Sequence, residues 1–223
     1  MEFDLLIKEL KTELTFPLPG REMQLAMSSI RRIREMMKWG VSRDARRSSV
    51  LILLYPGPVT GKPMIVLIRR PDYNGVHSGQ ISLPGGGFEE EDLDLTRTAL
   101  RESHEEIGLD PGAVTILGSL TELFIPPSNY LVQPFVGYTS AAPEFRAHPR
   151  EVKEILQIRL SDLMNDKNRK KKLIRLRTGI RILAPCYVIG ENVIWGATAM
   201  ILGEFREIVK RVRKRNSARR SRG

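Results

Sequence analysis

Three glutamates, Glu102, Glu105 and Glu106, stand at spacings i, i+3 and i+4 within the segment GGGFEEEDLDLTRTALRESHEEIGL, residues 85–109. On a helix, residues three and four apart share one face, so the three carboxylates would sit together. Like charges so placed cost an isolated helix roughly 0.2–0.5 kcal/mol per pair. A hard divalent cation between them reverses that balance, and an all-oxygen ligand set selects Mg²⁺ or Mn²⁺ over zinc. Arg101, one turn from Glu105 and beside Glu102, is placed to orient a carboxylate. Gly85 and Gly86 permit backbone conformations that aim a carbonyl at the same ion. A cation so held would meet the negative charge of a phosphate-bearing partner. The plain alternative is a solvated acidic helix face partnered by Arg97 and Arg101.

The elements that must position these groups follow from hydrophobic spacing. A helix is expected from about Asp94 to Ile107, stopped by Gly108 and Pro111. Upstream, SVLILLY (Ser49–Tyr55) and MIVLIR (Met64–Arg69) read as two adjacent strands joined by the turn-rich PGPVTGKP. Downstream, Val114–Phe124 and Tyr130–Tyr138 read as strands joined by IPPSN. Val152–Met164 mixes strand and short-helix patterns, and Lys167–Lys172 reads as an exposed basic turn. Ile180–Val188 and Asn192–Trp195 form a late hairpin around Gly190-Glu191. Helices are expected at 3–14 and from Ser28 to Met37, and a C-terminal amphipathic helix from Thr198 to Val212. The fold class is therefore α+β, a central mixed sheet with one functional helix in mid-chain and helices at both ends.

At 223 residues and 25.3 kDa, with 41% hydrophobic and 28% charged residues, the chain can bury a substantial core without staples. Its single cysteine, Cys186, excludes an internal disulfide and any Cys-cluster metal site. No apolar run reaches the roughly 20 residues of a membrane span, and the acidic start MEFDLLIKEL is no secretory signal, so a cytoplasmic location is expected. The net charge of +10 is uneven: Lys167–Arg177 carries seven basic residues and the last fourteen carry eight, while Glu89–Glu106 holds eight acids against two arginines. A basic body around an acidic patch suits phosphate-bearing partners approached through a bound cation. A weak nucleic-acid contact through the basic tail is a further expectation, as is a homodimer built on the apolar face of the first helix.

The spacing Gly86, five residues, Asp92, eight residues, Arg101-Glu102, two residues, Glu105-Glu106, one residue, Gly108 resembles the signature of the Nudix hydrolases. With seven fixed positions of background about one in fifteen, chance agreement is on the order of 10⁻⁸ per start position. Two departures stand out: Asp92 replaces a glutamate with one residue added before Arg101, and Ser103 fills an aliphatic slot. The longer loop resembles the coenzyme A diphosphatase subgroup, as does the upstream element LIRRPDYNGVHSGQISLPGG, Leu67–Gly86, in which Arg70, Gly79, Gln80, Pro84, Gly85 and Gly86 match. TAL before Arg101 and IWGATA at Ile194–Ala199 add to that likeness.

The resemblance implies a Nudix-type α/β/α sandwich over residues 48–208, preceded by an N-terminal helical arm, 1–47, and followed by a basic tail, 209–223. It implies that Glu102, Glu105, Glu106 and the Gly85 carbonyl hold Mg²⁺ or Mn²⁺, that Glu102 positions or deprotonates water, and that Arg101 holds Glu102 and the Asp92 loop. Arg69, Arg70 and Gln80 are the implied substrate contacts. Lys170–Lys172 or Arg175 are candidates for a basic lining around a 3′-phosphate, and Glu122 and Glu144 for a carboxylate outside the signature. His77, His104 and His148 are expected to be incidental, Cys186 a core residue and Trp195 packing. The implied reaction is Mg²⁺-dependent cleavage of the pyrophosphate of coenzyme A or a derivative, to 3′,5′-ADP and 4′-phosphopantetheine. The alternatives are a Nudix pyrophosphatase acting on NADH or ADP-sugars, or a nucleic-acid-binding Nudix domain.

Overall fold

The computed structural model describes residues 1–72, 78–176 and 178–220, without the side chains of residues 35–39 and 220. His77 lies outside the described residues. Three helices open the chain, α1 (Phe3–Glu13), α2 (Arg21–Leu25) and α3 (Ile30–Trp39). Strands β1 (Arg46–Pro56), β2 (Pro63–Arg69), β3 (Ile81–Ser82) and β4 (Gly85–Gly87) lead to α4 (Leu95–Ile107). Then come β5 (Thr115–Ser119), β6 (Leu123–Ile125), β7 (Tyr130–Tyr138), β8 (Glu154–Arg159), α5 (Leu160–Met164), β9 (Arg169–Arg175), β10 (Arg181–Ile189), β11 (Asn192–Trp195) and α6 (Gly196–Arg220).

The unbroken apolar run of β1 fits a strand covered on both faces. Leu51, Leu53 and Tyr55 pack with Val66 and Ile68 against Ala99, Leu100 and Ile107 of α4. Ile52 and Leu54 turn the other way, with Ile65 and Leu67, into a larger core closed by α1 and α6. The main sheet is mixed and eight-stranded. β1 runs parallel to β7 and antiparallel to β2 and β4, while β5 and β6 add to β7 and β3 and β8 to β2. A second, antiparallel sheet of β9, β10 and β11 stands beside it. This is an α/β/α sandwich, as expected.

Several elements differ from the sequence reading. The run Val114–Phe124 forms two strands because Pro134 interrupts their shared neighbour β7. Proline offers no N–H, and the Gln133 side-chain amide donates to the Leu120 carbonyl instead, at 2.7 Å. Arg169–Lys172 is strand rather than turn: Lys171 and Lys172 pair with Pro185 and Ala184 of β10, and exposed lysines suit an edge strand that must not pair further. α2 was not foreseen.

α6 continues past Val212 to Arg220, because Arg211, Arg215 and Arg219 recur every four residues and meet acids of α1. Arg215 and Arg211 pair with Glu13, and Arg219 with Glu9 at 3.0 Å. Residues 1–47 are likewise seated: Leu6 and Leu10 are fully buried in the larger core. Buried Glu204 of α6 accepts from the Gly20 N–H, Gln24 Nε2 and Thr121 Oγ1, which fixes α2 against the sheet. No helix among the described residues is long and apolar enough to cross a membrane.

Candidate active site

α4 starts where Asp94 accepts from the Arg97 N–H at 2.9 Å and ends where Gly108 adopts a left-handed conformation. Its inner face packs on β1, and Arg101, Glu102 and Glu106 of its middle and last turns lie against the glycines of β4. Arg101 organises this junction. Its guanidinium grips Asp92 through two bonds of 3.0 Å, donates to the Gly87 carbonyl, and reaches Glu102 at 3.2 Å and Glu105 at 3.1 Å. Asp92 also accepts from the Glu89 N–H and the Thr98 hydroxyl. These donors, Arg101 first among them, hold the Asp92 carboxyl below its usual range. The extra residue in the loop is thus absorbed without losing the acid–arginine clasp. Ser103, in the aliphatic slot, donates back to the Ala99 carbonyl and is fully buried.

Glu106 is only 2% exposed. It accepts from the Gly85 N–H at 2.8 Å and lies 3.6 Å from Arg70. Burial nevertheless pushes it up to about 7, and burial also raises Glu102. A buried acid and a partly buried one that both resist ionisation have the chemistry of a site awaiting positive charge. Glu105 behaves differently: it is half-exposed and drawn to Arg101. Among the described residues, no three acidic, imidazole or thiol side chains converge as a metal-holding group, because Arg101 supplies the charge between Glu102 and Glu105.

Two glycines are required by close approach. A Cβ on Gly85, whose φ is +143°, would stand 2.2 Å from the Ser49 carbonyl oxygen, and one on Gly86 would stand 2.3 Å from Glu102 Oε1. The consequences separate. Gly85→Ala meets backbone, and is expected to lower the melting temperature by more than about 5 °C, a loss on the order of 2 kcal/mol or greater. Gly86→Ala meets the end of a side chain; its product should stay folded with Glu102 displaced, losing about a hundredfold in kcat. Circular dichroism and a turnover assay on the pair test this.

A cleft of about 1440 Å³ opens over these groups, lined by Glu102, Glu106, Gly85 and Gly86. Arg69, Arg70, Gly79, Gln80, Arg175 and Trp195 line it too. Arg70 donates to the Gly85 carbonyl at 3.2 Å, whereas Arg69 is engaged by Glu154 and Asn192. Glu105, Lys170–Lys172, Glu122 and Glu144 are not among its lining residues; Glu122 pairs with Arg47 at 2.7 Å on the surface. His104 sits at the end of α4 against the Leu109 carbonyl, and Cys186 is fully buried.

The cleft has walls the sequence did not announce. Arg150 and Glu151, just before β8, line it, and the Glu151 charge adds to the rise of both Glu102 and Glu106. The segment Met27–Arg32 forms another wall. No spacing rule places either stretch at the cleft: the first comes from the loop before β8 and the second from the entry to α3.

The same stretch of chain carries the likeness to known proteins. The NUDIX domain family matches residues 45–176. Nudix hydrolase 15, mitochondrial, of Arabidopsis thaliana is 37% identical over 163 residues, which cover 70% of this chain and 56% of that protein. The chain thus spans little more than half the length of this plant relative. The uncharacterized Nudix hydrolase NudL of Yersinia pestis (strain Pestoides F) is 34% identical over 161 residues, 72% of this chain and 78% of that one. Among solved structures, the M. smegmatis Nudix hydrolase RenU superposes with a TM-score of 0.51 at 16% identity, covering 75% of this chain and 87% of its own. A MutT/nudix family protein from Enterococcus faecalis gives 0.50 at 15% identity, covering 87% and 76%. At such identities these two speak for the fold. Taken with the domain match, the relatives show that the chain belongs to the Nudix family, whose hydrolases act on nucleoside diphosphate derivatives and generally use divalent metals.

Proposed function

We propose that this chain hydrolyses the pyrophosphate bond of coenzyme A or one of its derivatives, with Mg²⁺ or Mn²⁺, to 3′,5′-ADP and 4′-phosphopantetheine. The observation that carries this reading is the meeting of two sequence elements in one cleft. Arg70, Gly79 and Gln80 of the upstream element line it beside Gly85, Glu102 and Glu106. Three arginines of α6, Arg211, Arg215 and Arg219, are engaged by Glu13 and Glu9, which reduces the charge this helix offers to a nucleic acid.

Glu102, Glu105, Glu106 and the Gly85 carbonyl would hold the cation. The donor set fits: all oxygen, with Glu106 buried and Glu102 partly buried, both carrying raised values that a dication would lower. Glu105 would exchange Arg101 for the ion. A cation there supplies neutralisation of the pyrophosphate charge. The protein's own groups do the rest. Arg70, between Gly85 and Glu106, is placed to take a phosphate oxygen, and Glu102, raised by burial and steadied by Arg101, accepts a proton from the attacking water. Glu151 is the carboxylate outside the signature. Glu151→Gln is expected to lower kcat at least tenfold, whereas Glu122→Gln leaves it within about twofold, since Glu122 makes an exposed ion pair. Equal effects of the two would remove Glu151 from the site.

The deciding experiment incubates the protein with Mg²⁺ and, separately, coenzyme A, NADH, ADP-ribose and an oxidised dGTP, beside a Glu105→Gln/Glu106→Gln variant. Release of 3′,5′-ADP from coenzyme A, absent in the variant, is the expected result. Preferential turnover of another substrate would overturn the coenzyme A assignment.

A further inference from the structure

The cleft holds a second polar region besides the one built on α4. Its wall at Met27–Arg32 is the entry to α3, a ten-residue helix. Ser29 begins that helix, its hydroxyl accepting from the Arg32 N–H at 3.3 Å and its carbonyl from the Ile33 N–H at 3.0 Å. The first turn has no acidic residue and carries Arg31 and Arg32. A helix start of this kind presents N–H groups and a positive dipole end to whatever lies before it.

A separate observation points to a ligand there. Ser28, immediately before Ser29, is 6% exposed and lines the cleft, and its hydroxyl has no hydrogen-bond partner among the described residues. An orphaned buried hydroxyl costs free energy that a bound oxygen would return. Ser48, 5% exposed, lines the same cleft with its hydroxyl also unpartnered. Hydroxyls, helix N–H groups and a guanidinium together suit a compact, multiply charged oxyanion.

We propose that the start of α3, with Ser28, Ser29 and Arg31, is a phosphate subsite that takes a phosphomonoester of the substrate remote from the bond being cleaved. A substrate long enough to bridge the α4 carboxylates and this subsite bears two separate phosphate centres. Resting on the coenzyme A reading, the subsite receives the 3′-phosphate, and α3 becomes the element that distinguishes coenzyme A from dephospho-coenzyme A.

The test compares KM for those two substrates, which differ only by that phosphate, in the wild type, in Arg31→Ala and in Ser28→Ala. In parallel, the melting-temperature rise given by 3′,5′-ADP is compared with that given by 5′-AMP. The wild type is expected to show a KM about tenfold or more lower for coenzyme A, and both variants to bring the ratio toward one. Ser28→Ala should melt no lower than the wild type, a result that separates a ligand contact from a structural one. Equal wild-type KM values, or variants that keep the ratio, would overturn the subsite. If neither substrate is turned over, the coenzyme A reading fails, and the nucleotides decide alone. A larger rise with 3′,5′-ADP that Arg31→Ala abolishes supports the subsite; equal rises overturn it.

Discussion

Glu106→Gln is expected to cut kcat by about 10³-fold and, at the same time, to make the metal-free protein more stable at pH 8. The first effect follows from removing a proposed cation ligand. The second follows from burial: Glu106 is forced up to about 7 by its surroundings. A carboxyl whose folded value is raised burdens the fold increasingly as pH climbs from its ordinary value, 4.5, to about 7. Above that the full cost stands, on the order of 3 kcal/mol at pH 8. Glutamine keeps an oxygen for the Gly85 N–H and removes the charge. The stabilisation should therefore be large at pH 8 and fade toward pH 5. Mg²⁺ should raise the melting temperature of the wild type and leave that of the variant unchanged. A variant that melts lower than the wild type at pH 8 would show that the buried carboxylate stabilises the fold.

Arg101→Ala should fail in the opposite manner, losing activity and stability together. Asp92 is 7% exposed and is held below its usual range by Arg101. Removing the guanidinium leaves a buried charge without its partner, a loss of about 3–5 kcal/mol in comparable pairs. A carboxyl with a lowered value lends its stability above the ordinary carboxylate range and loses it as pH falls through the lowered one. The gap between wild type and variant, measured by urea unfolding, should accordingly be widest near neutral pH and close on acidification. Arg101→Lys keeps the charge without the fork that spans Asp92 and the Gly87 carbonyl, so it should recover only part of the loss. If the gap persists unchanged in acid, the Asp92 pair is not its source.

The helix with its three glutamates, the two strands before it and the closing hairpin were legible because each is short-range: a spacing, an apolar run, a Gly or Pro that ends it. What escaped was set at long range. Whether Val114–Phe124 is one strand or two depends on Pro134, in a neighbouring strand. That Lys170–Lys172 are strand depends on β10, still to come in the sequence. Glu151 and Ser28 reach the cleft only because β2 pairs with β8 and Glu204 pins α2, contacts that no local pattern encodes. The contact of Glu105, a proposed cation ligand, with Arg101 was likewise not written in the spacing of the glutamates. Spacing places three carboxylates on one face, while rotamers and a neighbouring cation decide which of them turn inward.

The closing of the larger core by α1 and α6 together has a consequence for how the protein comes into being. Met200, Phe205, Ile208, Val209 and Val212 complete a core begun by Phe3, Leu6 and Leu10, so residues near opposite ends of the described chain must find each other before either is shielded from water. A nascent chain halted before Gly196 would already hold every glutamate of the α4 site and still lack the helix that completes the larger core. During synthesis, then, the residues for chemistry precede the means of assembling them, and the apolar residues of the larger core stay exposed to water until α6 has emerged.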